Sequence, residues 1–155
     1  MKRWRIGLTA VLVVVAMVVG TTMVSASPSN RGKAIRVVER ATTDTVIDLG
    51  SAGDSLGDLL VFGNNIYNRA NTTVVGRDQG SCIRTNPGSS WECTWTTILA
   101  KGSITVEGPF YDDLRDSLFA ITGGTGRYQN ARGQMKLHSR DAVGSELDFI
   151  FHIIG

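Results

Sequence analysis

FAITGGTGRYQNARG, residues 119–133, places four glycines, two aromatics and two arginines in fifteen positions. A glycine-rich run of this kind either cradles a phosphate or shapes a sheet, and the choice decides the fold class. A dinucleotide loop needs G-x-G-x-x-G between a parallel strand and a helix, and here both the spacing and a following helix are missing. A phosphate loop needs a glycine, four residues and then Gly-Lys-Ser/Thr, which is also absent. The glycines therefore read as turns, bulges or close backbone approaches between two strands.

Outward from this stretch, nearly every segment alternates with period two. KAIRVVERA sets Ile35, Val37, Glu39 and Ala41 on one face, against Arg36 and Arg40. DLLVFGNNIYN sets Leu60, Phe62, Asn64 and Ile66 opposite Leu59, Val61 and Tyr67. WECTWTTIL aligns Trp91, Cys93, Trp95, Thr97 and Leu99. SITVEG, SLFAIT, GQMKLHSR and ELDFIFHII complete about eight strands, rich in β-branched and aromatic residues with Gly, Pro or Asn between them. YDDLRDS (111–117) has room for one helical turn at most. The pattern predicts an all-β chain, an eight-stranded antiparallel, calycin-like β-barrel of the size that just encloses one ligand. The last strand is apolar on both sides, Phe149, Phe151 and Ile153 against Ile150, His152 and Ile154. Both faces therefore need cover, the outer one from a second subunit or from the chain's own loops.

The N-terminus reads differently. Lys2, Arg3 and Arg5 precede the apolar run IGLTAVLVVVAMVVG, and Val24-Ser25-Ala26 is a cleavage-type ending. Residues 1–26 thus read as a secretory signal peptide, with an uncleaved anchor as the alternative, 27–33 as a polar arm and 34–155 as the barrel. Losing the three basic residues of the leader takes the formal charge from +2 to −1. Without a basic cluster there is no electrostatic case for nucleic acid or an anionic membrane. In an exported chain the two cysteines, Cys82 and Cys93, are expected to form a disulfide, across a loop that contains Asn86-Pro87-Gly88.

Two polar residues break the alternation. Glu39 and Asn64 lie in phase with apolar neighbours, and burying a carboxylate is costly unless it is paired or functional. The pair are the candidate catalytic residues; the structural alternative for Glu39 is an ion pair, for example with Arg132. The only histidines, His138 and His152, fall on different strands, His138 facing solvent and His152 packed on an apolar face. No zinc set is present, and no cofactor or metal is expected.

GDLLVFGNNIYN, GSC (80–82), GSITVEGPF, FAITGGTGRYQNARG and DFIFHIIG occur in an order that resembles the allene oxide cyclase and dirigent superfamily over roughly residues 33–155. The resemblance implies an eight-stranded barrel with an apolar cavity, commonly a homo-trimer. In the cyclases a glutamate assists opening of an allylic fatty-acid epoxide to a delocalised cation, and asparagine and serine side chains hold water on the epoxide oxygen. Glu39 falls on that glutamate, Asn64 on one asparagine and Cys82 on a cavity cysteine, whereas Ala41 replaces the second asparagine and Ile47-Asp48 the Ser-Pro pair. Dirigent proteins instead orient radicals made by a separate oxidase; their paired aspartates have no clear counterpart, though Asp44 and Asp48 lie in the same region.

The expected function is binding of a small hydrophobic molecule in the lumen, with stereoselective cyclisation or coupling as the isomerase-type activity. Phe62, Tyr67 and Trp95 are the candidate ligand-binding walls, depending on strand phase. A lipocalin-like carrier without turnover is the alternative, and a barrel filled by its own side chains a third reading.

Overall fold

The computed structural model describes residues 33–154, so the leader and almost all of the arm lie outside the described residues. The alternating runs form ten strands: β1 Lys33–Arg40, β2 Thr45–Ile47, β3 Leu59–Phe62, β4 Asn65–Asn68, β5 Val74–Asn86, β6 Ser90–Leu99, β7 Gly102–Tyr111, β8 Ser117–Gly124, β9 Arg132–Ser139 and β10 Glu146–Ile154. Residues 112–116 form a turn and not the helical turn allowed for above, with Leu114 in the left-handed region at φ 68°.

Ten strands make eight staves. β1 pairs with β4 and β2 with β3, while β3 and β4 both pair with β5. Thus β1–β2 is one interrupted stave and β3–β4 another. From β5 to β10 each strand pairs antiparallel with the next, and β10 closes on β1. The result is a closed, antiparallel, up-and-down barrel with no free edge along the staves. The interruptions, residues 41–44 and Gly63-Asn64, are adjacent.

The inward face follows the predicted phase. Trp91, Cys93, Trp95 and Thr97 of β6 are each at most 5 % exposed, as are Phe119, Met135, Phe149 and Phe151. Trp95 packs edge-on against Phe119, 4.4 Å between ring centroids, and lies 5.5 Å from Phe149. The outer face of β10 is a different matter: Ile154 is 54 % exposed, Ile150 is half-buried and His152 faces solvent. No loop among the described residues covers this face. His152 is therefore not the packed histidine expected from its apolar neighbours, because they lie on the outside of a closed barrel.

The opening stretch is the end of β8, a short 3-10 turn at Gly126–Tyr128 and the start of β9. Gly126 sits at φ 58° and Gly133 at φ 125°, where a Cβ would collide with the carbonyl oxygen of His152 on β10. Only glycine lets the two strands approach at that point.

Cys82 and Cys93 are direct cross-strand partners and form a disulfide, consistent with an extracytoplasmic protein. The bridge spans a sequence separation of 11, so chain entropy predicts about 3 kcal/mol of stabilisation. Adding a reductant should lower the melting temperature by roughly 10 °C; an unchanged melt would show that the bridge adds nothing.

Candidate active site

The adjacent interruptions leave backbone groups that the sheet ladder does not satisfy, and Asn64 takes them up. Its Oδ1 accepts from the backbone N–H of Thr42 and of Thr43, both at 2.9 Å, and from the Thr43 hydroxyl at 3.0 Å. The Thr43 hydroxyl oxygen in turn accepts from the Gly63 N–H at 2.9 Å. With Oδ1 so engaged, Nδ2 points at two carboxylates, donating to Glu39 Oε1 and to Asp44 Oδ1, both at 2.7 Å. The Asn64 backbone N–H donates to Asp78 Oδ1 at 3.0 Å.

Three carboxyl groups from β1, the β1–β2 connection and β5 therefore converge on one asparagine. No lysine, arginine or histidine among the described residues forms an ion pair with any of them. Arg132, the partner considered for Glu39, instead donates to the carbonyl of Ala131 from an exposed position. Glu39 is 4 % exposed and Asp78 fully buried. Burial, then the nearby Asp78 charge, pushes the Glu39 carboxyl well above the usual range; burial lifts Asp78 to about 6. Glu39 and Asp78 are also hydrogen-bonded to one another. Asp78 Oδ2 has no other partner, so the physical resolution is a proton on Glu39, donated to Asp78.

Raised carboxyls make the folded state bind more protons than the unfolded state, so stability falls as pH rises through the folded values. Asp58, Asp116 and Asp141, lowered chiefly by hydrogen bonds, act the opposite way, below the ordinary carboxylate range. Thermal melts should therefore show higher stability near pH 5 than near pH 7, from the shift of Asp78 to about 6. A maximum at neutral pH would contradict the protonated cluster.

Glu39 and Asp44 face a cavity whose other walls are Leu60, Phe62, the Cys82–Cys93 disulfide, Trp95, Phe110, Leu137, Leu147 and Phe149. The empty space is about 310 Å³ including its open mouth, and its interior has room for about two waters. The loops at the mouth end carry exposed Leu49, Leu56, Leu114 and Val143.

Of the residues singled out in the sequence, Glu39, Phe62, Trp95 and the cysteine pair meet at this cavity. Two do not. Tyr67 follows the fully buried Ile66 on β4 and so points outward, its ring 4.0 Å beneath the Arg40 guanidinium, a cation–π contact. Asn64 contacts Glu39 but stands behind the wall. Both its amide hydrogens are committed to carboxylates, which leaves none for a bound oxygen or water. It holds the Glu39 and Asp44 carboxyls in place. Asp78 joins the cluster without being marked by the apolar alternation, and its signal lies in the phase of β5: Asp78, Gly80, Cys82 and Arg84 alternate on the face that the inward cysteine defines. Arg84 on that face stacks 3.9 Å over Trp91 and pairs with Asp54 and Asp112, tying two mouth-end loops together.

Among solved structures, the barrel is similar to a pyocyanin demethylase (TM-score 0.65, 23% identity, covering 77% of this chain and 100% of that one). It is also similar to a pterocarpan synthase dirigent protein (0.64, 12%, 83% and 100%) and to the exo-specific intermolecular Diels-Alderase AbnU (0.61, 13%, 80% and 100%). At these identities the likeness is one of fold. Residues 34–152 match the family model described as allene oxide cyclase. That match spans the closed barrel and carries Glu39, Asp44, Asn64 and Asp78 within it: the chain belongs to the allene oxide cyclase family.

Proposed function

We propose that the barrel admits a small hydrophobic molecule at its mouth and steers a cyclisation or coupling, with Glu39 as the proton donor. The observation that carries this reading is a carboxylic acid, 4 % exposed, held in the wall of an aromatic cavity with no basic partner among the described residues. A neutral acid in such a wall is poised for general acid catalysis.

The chemistry follows from the contacts. As a C–O bond of the bound molecule breaks, the bonding electrons stay on oxygen and the Glu39 proton moves to it. The glutamate charge is then held by the Asn64 amide at 2.7 Å. The carbon left electron-poor faces Glu39 and Asp44 and the ring faces of Phe62 and Trp95. Ring closure or attack by a second group fills it, and loss of a proton back to Glu39 restores the acid. Because the walls hold one orientation, one product face is favoured. Support comes from the family match and from the same barrel serving a demethylase, a dirigent protein and a Diels-Alderase.

The enclosed space is small, so entry requires Phe62 and Phe110, both only half-buried, to swing aside. Export fits the disulfide and the leader sequence. On this reading a homo-oligomer such as a trimer would bury the uncovered outer face of β10.

The test is kinetic resolution of a racemic, neutral aryl epoxide, followed by chiral chromatography. One enantiomer should be consumed faster than in buffer and give one product stereoisomer. Binding without consumption would leave the carrier reading in its place.

A further inference from the structure

The cavity carries more negative charge than one proton donor requires. Glu39, Asp44 and Asp78 share the donors of a single asparagine, and even with Glu39 neutral the two aspartates lack a counter-charge among the described residues. No group of histidine, cysteine or carboxylate side chains among the described residues is arranged to hold a metal ion. A second observation is independent of the acidic cluster. Trp95 Nε1 and Thr97 Oγ1 are buried polar atoms with no hydrogen-bond partner. Asp78 and Thr97 are register partners on β5 and β6 and are both fully buried, while Trp95 lies on the same inward face and lines the cavity. Unpaired polar atoms of this kind are rare inside proteins, and beside an aromatic wall they suit a guest with its own polar group.

The field along the barrel has the same sign. The mouth-end loops 48–58, 112–116 and 140–145 hold seven aspartates against two arginines, whereas the opposite loops 69–73, 100–101 and 125–131 hold three basic residues and no acidic one. Asp54 and Asp112 pair with Arg84, Asp113 with Arg115 and Asp116 with Lys136; the charge left on Asp48, Asp58 and Asp141 favours cationic ligands at the mouth.

We propose that the cavity selects a cationic aromatic or conjugated small molecule, such as an N-alkylated heteroaromatic ring or a delocalised iminium, over neutral and carboxylate-bearing ones. The aromatic walls take its ring faces and the charge is balanced by Asp44, which lines the cavity. This rests on the reading above that the lumen takes a small molecule.

The experiment is a calorimetric titration of the full chain near neutral pH with three bicyclic probes of similar shape: N-methylquinolinium, quinoline and 2-naphthoate. The cation is expected to bind at least about tenfold more tightly than quinoline, and naphthoate most weakly. Asp44→Asn keeps an acceptor for the Asn64 amide and is exposed, so it should fold; it should narrow the cation preference by about threefold or more. Quinoline or naphthoate binding as tightly as the cation, or a preference unchanged in Asp44→Asn, overturns the cation assignment while leaving a ligand-binding lumen. No binding by any probe overturns it together with the lumenal reading. The wild-type ranking stands as a test whatever the variant does.

Discussion

Glu39→Gln should lower turnover of the neutral aryl epoxide by about 100- to 10,000-fold, the range that a positioned general acid contributes, with little change in stability. Glutamine is isosteric. Its carbonyl can accept from Asn64 Nδ2 as Glu39 does now at 2.7 Å, and its amide can donate to the otherwise unpartnered Asp78 Oδ2. The hydrogen bonds survive and only the transferable proton is lost. The loss should therefore appear in kcat more than in KM. Glu39→Asp retains the acid on a shorter stem and should fall between the two. A glutamine variant that turns over within about threefold of wild type would remove Glu39 from the chemistry.

Asn64 has the largest expected effect on folding. Asn64→Ala removes the acceptor of two backbone N–H groups and the donor that separates Glu39 from Asp44. The unpaired buried groups should cost about 3 to 5 kcal/mol in chemical denaturation. Asn64→Asp sharpens the point, since it keeps the shape while replacing two donors with a fourth carboxyl group. Its pKa would be raised in the folded state, so its penalty should be fully present at neutral pH and shrink toward about pH 5 as the group takes up a proton. Asn64→Asp within about 1 kcal/mol of wild type at neutral pH would show that the amide is not what holds the carboxylates together.

The two variants separate functions that the sequence presents as one pair. Glu39 and Asn64 both break an apolar alternation, and that signal marks a buried polar side chain without saying whether it faces the lumen or the sheet. Only one meets the cavity. Asn64 lies in phase with its inward neighbours, but it sits in the gap between β3 and β4, where satisfying the interrupted backbone uses up its amide. Asp78 becomes legible by phase only once Cys82 is known to point inward, since a lone aspartate in the polar-looking GRDQG carries no mark of burial.

The barrel is encoded locally, strand by strand. Period-two alternation and glycines that only a close strand approach requires are local properties, and each strand carries its own inward and outward face. Which side of β4 Tyr67 occupies, that two staves are broken side by side, and that three carboxyl groups share one asparagine are decided by register between strands far apart in the chain. Glu39 is 25 residues from Asn64, and Asn64 is 14 from Asp78. Closure alone brings them within hydrogen-bonding distance, and closure removes the water that would have kept the Glu39 and Asp78 carboxyls in the ordinary range.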